Sequence, residues 1–191
     1  RIYGYTKKEA PFFKKIPISA VFGDQQSALF GQRCFKRLDA KSTFGTGSFI
    51  MASAGDIKIC SENNLISTIY YMSDNGRTHY ALEGSIYNSG SLFQWLKEDL
   101  CLINDYYEIE KMAQKIDYQK DLFVIPAFTG LGAPYWDSYA RGIIIGIMRS
   151  TGRPEIVRSC IESIAYRTKD VINAMQKDLE MKFLELKIDG G

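Results

Sequence analysis

Two periods run along this chain. Residues 65–72 and 78–87 are rich in β-branched and aromatic side chains and read as strands, and Ser73-Asp74-Asn75-Gly76 joins them. Asn-Gly at that point predicts a hairpin with a type I′ turn, because both central positions of that turn need positive φ. Further strands are predicted at 16–22, with Pro17 near its start, and at 43–52, interrupted by Gly45 and Gly47. Residues 122–126, 142–148 and 183–188 complete the strand set. The other period is helical. Val157, Ile161, Ile164, Val171, Ile172 and Met175 recur at the spacing of one helix face, which predicts a long helix over 154–177 with Pro154 suited to its first turn. Shorter helices are predicted at 24–34, 89–100 and 106–116. Strands first, then a long helix, then a returning strand describe an α/β sheet domain.

A length of 191 residues fits one domain, or one domain and a fragment, and 46% hydrophobic residues can build a core. Residues 1–15 read as a linker or loop segment, and 16–191 as the domain. The net charge of +2 gives no reason to expect nucleic acid or an anionic membrane as partner, and Lys7-Lys8 and Lys14-Lys15 read as a solvated loop. No apolar run approaches the length of a membrane span. Cys34, Cys60, Cys101 and Cys160 are scattered, and His79 is the single histidine. No zinc site is therefore expected, and reduced thiols in a cytoplasmic protein are the plainer reading. The start lacks a Met and the end stops at Asp189-Gly190-Gly191 after a strand-like run, so both ends read as cuts in a longer protein.

Three blocks carry candidate chemistry. In Gly23-Asp24-Gln25-Gln26, a carboxylate follows an apolar run, where it could accept a proton from an alcohol. It could equally sit at a helix N-terminus as a cap, and from the residues alone that reading is favoured. In Ser42-Thr43-Phe44-Gly45-Thr46-Gly47-Ser48-Phe49, a tight Gly-Thr-Gly turn could bring N–H groups and the Thr46 hydroxyl to a phosphate, or could be a bulge in a strand. Phe49 by itself reads as core. The third block is the Gly- and aromatic-rich run 128–142, with Trp136, Asp137 and Arg141, which reads as a packed structural loop with no assigned chemical step. The first two together suggest phosphoryl transfer to an alcohol.

These blocks, in this order, resemble the glycerol kinases of the FGGY carbohydrate kinase family, over nearly all of residues 16–191. The resemblance implies the actin-like ATPase fold, two RNase H-like domains closing over the substrates, with this chain as most of the second domain. It implies Asp24 as the catalytic base, Gln25 and Phe49 as polyol contacts, and Thr46 and Gly47 facing the nucleotide phosphates. Gly90, Gln94 and Gly191 are implied to border the nucleotide. The implied reaction is ATP-dependent phosphorylation of glycerol to glycerol 3-phosphate with Mg²⁺, with no metal ligand assigned in this chain. The chain alone is expected to be inactive, and the full-length protein to form a homo-oligomer.

Departures from the family pattern are few. Phe44 stands where many members have Tyr, and Asn88-Ser89-Gly90 is more polar than usual. The run 142–162 follows the second family signature except at Cys160. Two family controls lack their residues: the loop at 11–15 has no glycines for a sugar bisphosphate, and Ala10 occupies the position of a phosphorylated histidine. Two alternatives stay open. One is another FGGY kinase acting on a pentulose or similar sugar, and the other is a catalytically dead, kinase-derived binding protein.

Overall fold

A computed structural model describes residues 2–9, 11, 14–116 and 121–191. Ala10, and Phe12 and Phe13 of the adjacent loop, on which the two regulatory readings fall, lie outside the described residues. The chain folds around a five-stranded sheet in the order β5-β6-β4-β3-β9. Its members are β3 (Ala40–Phe44), β4 (Ser48–Gly55), β5 (Ile66–Met72), β6 (Thr78–Ile86) and β9 (Lys187–Gly190). Neighbours β3, β4, β6 and β5 are antiparallel, and β9 returns parallel to β3. A parallel return needs a crossover, and the 27-residue helix α4 (Arg153–Leu179) supplies it.

Alternation along β4 divides the core. Ile50, Ala52 and Ala54 join Leu82 of β6 and Val171, Ala174, Met175 and Leu179 of α4 on one face. Met51 points the other way, with Ala81 and Tyr70, against Leu29 of α1 (Asp24–Gly31). The first half of α4 serves a separate cluster. There Val157, Cys160 and Ile164 pack on Leu92 and Leu96 of α2 (Gly90–Glu98), on Ile103 and on Val124. Val124 belongs to β7 (Phe123–Ile125), which pairs with β8 (Ile143–Ile145), and α3 (Tyr107–Ala113) lies against α4.

Four expectations change. The strand at 16–22 shrinks to β2 (Pro17–Ile18), paired only with β1 (Gly4–Tyr5), and Val21 is 73% exposed. Apolar composition there does not mark a member of the main sheet. The single strand at 43–52 is a hairpin, with Gly45-Thr46-Gly47 as its turn between β3 and β4. In the β5–β6 hairpin only Gly76 takes positive φ, at 79°, and Asn75 does not. The Gly76 N–H donates to the Ser73 carbonyl and the Ser73 N–H to Arg77, which fits a type I turn closed by a left-handed glycine rather than type I′. The last strand starts at Lys187, not at 183, and Leu184 is fully exposed. Register against β3 (Lys41 beside Lys187, Thr43 beside Asp189) decides it.

The run 128–142 is a packed loop, as expected. Leu131 and Asp137 exchange backbone hydrogen bonds of 2.7 and 3.0 Å, and the Trp136 indole donates to the Asn64 carbonyl at 2.7 Å. The Asp137 carboxylate accepts from the N–H groups of Tyr139 and Ala140. The Arg167 guanidinium, almost fully buried, donates to the Ala133 carbonyl at 2.8 Å and to Asp170 at 3.1 Å. His79 stacks on Tyr71, ring centres 4.3 Å apart.

Candidate active site

The N-terminus of α1 carries Asp24 and Gln25. Gly23 is the N-cap, so Asp24 falls in the first turn, where a carboxylate favours the helix dipole. One carboxylate oxygen accepts the Gln25 N–H at 2.8 Å, and the side chain is exposed. Asp24 is therefore the first helical residue and not the cap: Gly23 holds that position with no side-chain cap hydrogen bond, and the Asp24 carboxylate stays exposed beside the Gln25 backbone.

Beneath Gln25 lies a cluster built by strand alternation. Lys41 and Thr43 of β3, Phe49 and Met51 of β4, and Glu83 and Ser85 of β6 are register partners and share the α1 face of the sheet. Asp189 of β9 adds a carboxylate beside Thr43. Lys41 is fully buried. Its ammonium donates to the Gln25 side-chain carbonyl, to the Thr43 hydroxyl at 2.7 Å and to the Phe49 main-chain carbonyl at 3.5 Å. Burial pulls the Lys41 pKa below the ordinary lysine value, while Asp189, Glu83 and Asp24 act to raise it. Burial pushes Glu83 up, partly offset by Lys41. Burial also works against the Asp189 carboxylate, but hydrogen bonds from Thr43 and Gln32 and the Lys41 charge hold it below its usual value. The Gln32 amide donates to Asp189 at 2.9 Å.

Phe49 is 36% exposed, so it is a surface aromatic and not core, and its main-chain carbonyl shares the Lys41 ammonium with Gln25. Thr46 is exposed at the hairpin turn. That turn is tied to the start of α2 by three backbone hydrogen bonds. Ser89 and Ser91 donate to the Thr46 carbonyl at 2.9 and 3.1 Å, and Gly90 donates to Gly45 at 2.8 Å. A Cβ on Gly90 would lie 2.6 Å from the Gly45 oxygen, and one on Gly47 would lie 2.4 Å from the Ile86 oxygen. Both glycines are required by close backbone approach. On the far side Gly191 reaches the turn through its N–H, 3.3 Å from the Phe44 carbonyl. Gly45, Gly90 and Gly191 rim a hollow of about 560 Å³ against α4; Thr168 lines it, its hydroxyl buried with no partner among the described residues. Gln94 does not join them. It lines a second hollow with Trp95 and Arg141, and its amide donates to Glu98 at 2.8 Å.

The structure thus brings Asp24, Gln25 and Phe49 to one end of the sheet, and Thr46, Gly47, Gly90 and Gly191 to an adjoining rim. The motifs pointed neither to Lys41 nor to a role for Glu83. The available signal was a lysine in a strand whose i+2 neighbour, Thr43, starts the Gly-Thr-Gly block.

Residues 40–191 match the C-terminal domain of the FGGY family of carbohydrate kinases, and the chain belongs to that family. Within it, the chain is 49% identical over 190 residues to the glycerol kinase of Natranaerobius thermophilus and 48% identical to glycerol kinase 2 of Thermotoga maritima. All of this chain is covered in both, but it spans only 38% of the length of each relative. Among solved structures it superposes on Plasmodium falciparum glycerol kinase with ADP at TM-score 0.90 and 39% identity, covering 100% of this chain and 38% of the other. A ligand-bound xylulose kinase from Lactobacillus acidophilus shares the fold at TM-score 0.75 and 24% identity, over 93% of this chain and 35% of the other. The fold is that of the sugar kinases, the actin-like ATPase fold.

Proposed function

We propose that the full-length protein containing this domain phosphorylates glycerol with ATP, giving glycerol 3-phosphate and ADP. The observation that carries this reading is near-half identity to glycerol kinases across the entire chain, twice the identity to the xylulose kinase. The domain is read as running from residue 16 to 191, since α1 packs Leu29 into the sheet ahead of the matched stretch.

Asp24 is the base: it takes the proton of the attacking hydroxyl as the γ-phosphoryl is transferred. Gln25 holds the polyol and Phe49 covers its carbon edge. Thr46 and Gly47 present the hairpin turn to the phosphates, Gly90 and Gly191 border the nucleotide at the rim, and Gln94, one helical turn past Gly90 on α2 and lining the second hollow, is read as a further nucleotide contact. The 560 Å³ hollow is of ligand size and has an apolar wall of Phe93, Ile161, Ile164 and Ile172. Mg²⁺ carried by the nucleotide would neutralise phosphate charge, with no ligand to it assigned among the residues of this chain. The isolated chain is inactive in this reading, because the other domain supplies the rest of the polyol grip. The full-length protein is a cytoplasmic homo-oligomer.

The test is ATP consumption by the full-length protein over glycerol, xylulose, ribulose and gluconate. Turnover with glycerol supports the reading. Turnover only with a sugar keeps the family and overturns the substrate, and no turnover from folded, Mg²⁺-supplied protein favours a binding role.

A further inference from the structure

We infer that Lys41 is a positioning residue that fixes which end of the Gln25 amide faces the polyol; this rests on the proposed function. A buried lysine is costly unless its charge is satisfied, and an ammonium has three N–H bonds to satisfy. Lys41 is fully buried, and its three acceptors are all neutral oxygens: the Gln25 amide, the Thr43 hydroxyl and the Phe49 main chain. Two of those acceptors belong to the residues placed on the polyol. The ammonium can only donate, so it takes the amide oxygen of Gln25 and turns the NH₂ group away from itself. That NH₂ group has no partner among the described residues and lies one residue from Asp24.

The arrangement is complementary to an alcohol. The amide donates to one hydroxyl oxygen while the Asp24 carboxylate accepts a hydroxyl proton. Without Lys41 the amide is free to flip and to offer an acceptor in place of a donor. The Phe49 main-chain carbonyl accepts from the same ammonium at 3.5 Å, so Lys41 is held to β4 while it holds the amide. Among the described residues, the nucleotide rim, Gly45 to Gly47 with Gly90 and Gly191, accepts no hydrogen bond from the ammonium.

The test uses the full-length enzyme with Lys41→Met, Gln25→Ala and the double variant, each checked for a native melting transition. Lys41→Met raises the glycerol KM about tenfold, the scale of one hydrogen bond's worth of positioning, with ATP KM changed less than about twofold. Lys41→Met added to Gln25→Ala moves the glycerol KM by less than about twofold, because the amide it orients is gone. Thr43→Val, which removes one acceptor from the ammonium, gives the same split at about threefold. An unchanged glycerol KM in folded Lys41→Met overturns the inference, as do equal rises in both KM values or full multiplicativity in the double variant. Where Lys41→Met does not fold, an unmoved glycerol KM in Thr43→Val overturns it. Wild-type turnover on another polyol overturns only the substrate assignment, and the same split is then read on that polyol. Absence of turnover on any polyol removes the proposed function and this role with it.

Discussion

Alanine at Gly90 tests whether the hairpin turn and α2 are one rigid unit. The new Cβ would sit 2.6 Å from the Gly45 carbonyl oxygen and 3.3 Å from its carbon. Ordinary contact begins near 3.4 Å, so two stretches of backbone must part by about 0.8 Å. Neither is a flexible side-chain end that could swing aside. Overpacking of this kind costs about 1–3 kcal/mol, and the 2.8 Å Gly90-to-Gly45 hydrogen bond is stretched, for about 1 kcal/mol more. Alanine recovers about 0.5–1 kcal/mol of unfolded-state entropy, leaving a net loss of about 2 kcal/mol. For a domain of this size that lowers the melting temperature by about 5 °C. Gly31→Ala is the control, because nothing lies within 4 Å of its added Cβ at the end of α1. It gains about 0.4–1 kcal/mol, or about 1–2 °C. Thermal unfolding followed by circular dichroism reads both. A Gly90→Ala protein melting within about 1 °C of the parent would show that the turn and helix move independently, and the rigid-rim argument would fail.

Asp24→Asn in the full-length enzyme lowers kcat by about 10²–10⁴-fold with little change in folding, and steady-state rates with a thermal melt separate the two. Leu82→Ala, at a fully buried position against α4, destabilises by about 2–5 kcal/mol in urea titrations. Arg167→Met strands the Ala133 carbonyl and loosens Asp170, costing about 2–4 kcal/mol by the same assay. Burial pushes the Cys34 thiol to about 11 and the Cys160 thiol to about 12. At pH 8 a maleimide therefore labels the exposed Cys60 and Cys101 and spares the other two until urea is added, as peptide mass mapping will show.

The long helix and the β5–β6 hairpin were legible because each rests on a local signal: apolar spacing in one, a Gly-centred turn in the other. The hairpin's turn type was not, since Asn75 needed positive φ for type I′ and β-bulge geometry let Gly76 alone supply it. Strands β3 and β4 merged into one because Gly45-Thr46-Gly47 is short and flanked by β-formers on both sides. The turn shows only when Ala40 pairs back onto Ala52. Residues 16–22 misled for the opposite reason: they are apolar, yet most of that length finds no strand partner among the described residues.

The site divides along the same line. Asp24, Gln25, Thr46 and Gly47 announce themselves through motifs contiguous in sequence. Lys41 and Glu83 do not, because their meaning comes from register. They are joined across Met51, which pairs with both, and only the sheet places them under α1. A lysine in a strand reads as solvent-facing by default, and nothing local contradicts that reading. What reverses it is a helix laid over that face by Leu29 and Met51, which closes the strand surface and leaves the ammonium nowhere to go but to Gln25, Thr43 and Phe49. The packing that buries α1 is thus also what puts a charge beneath the polyol residues. A substitution that loosens Leu29 from Met51 is expected to disturb the Gln25 amide at a distance, whereas one on the α4 face of the sheet, such as Leu82→Ala, is expected to reduce stability with the Gln25 orientation kept.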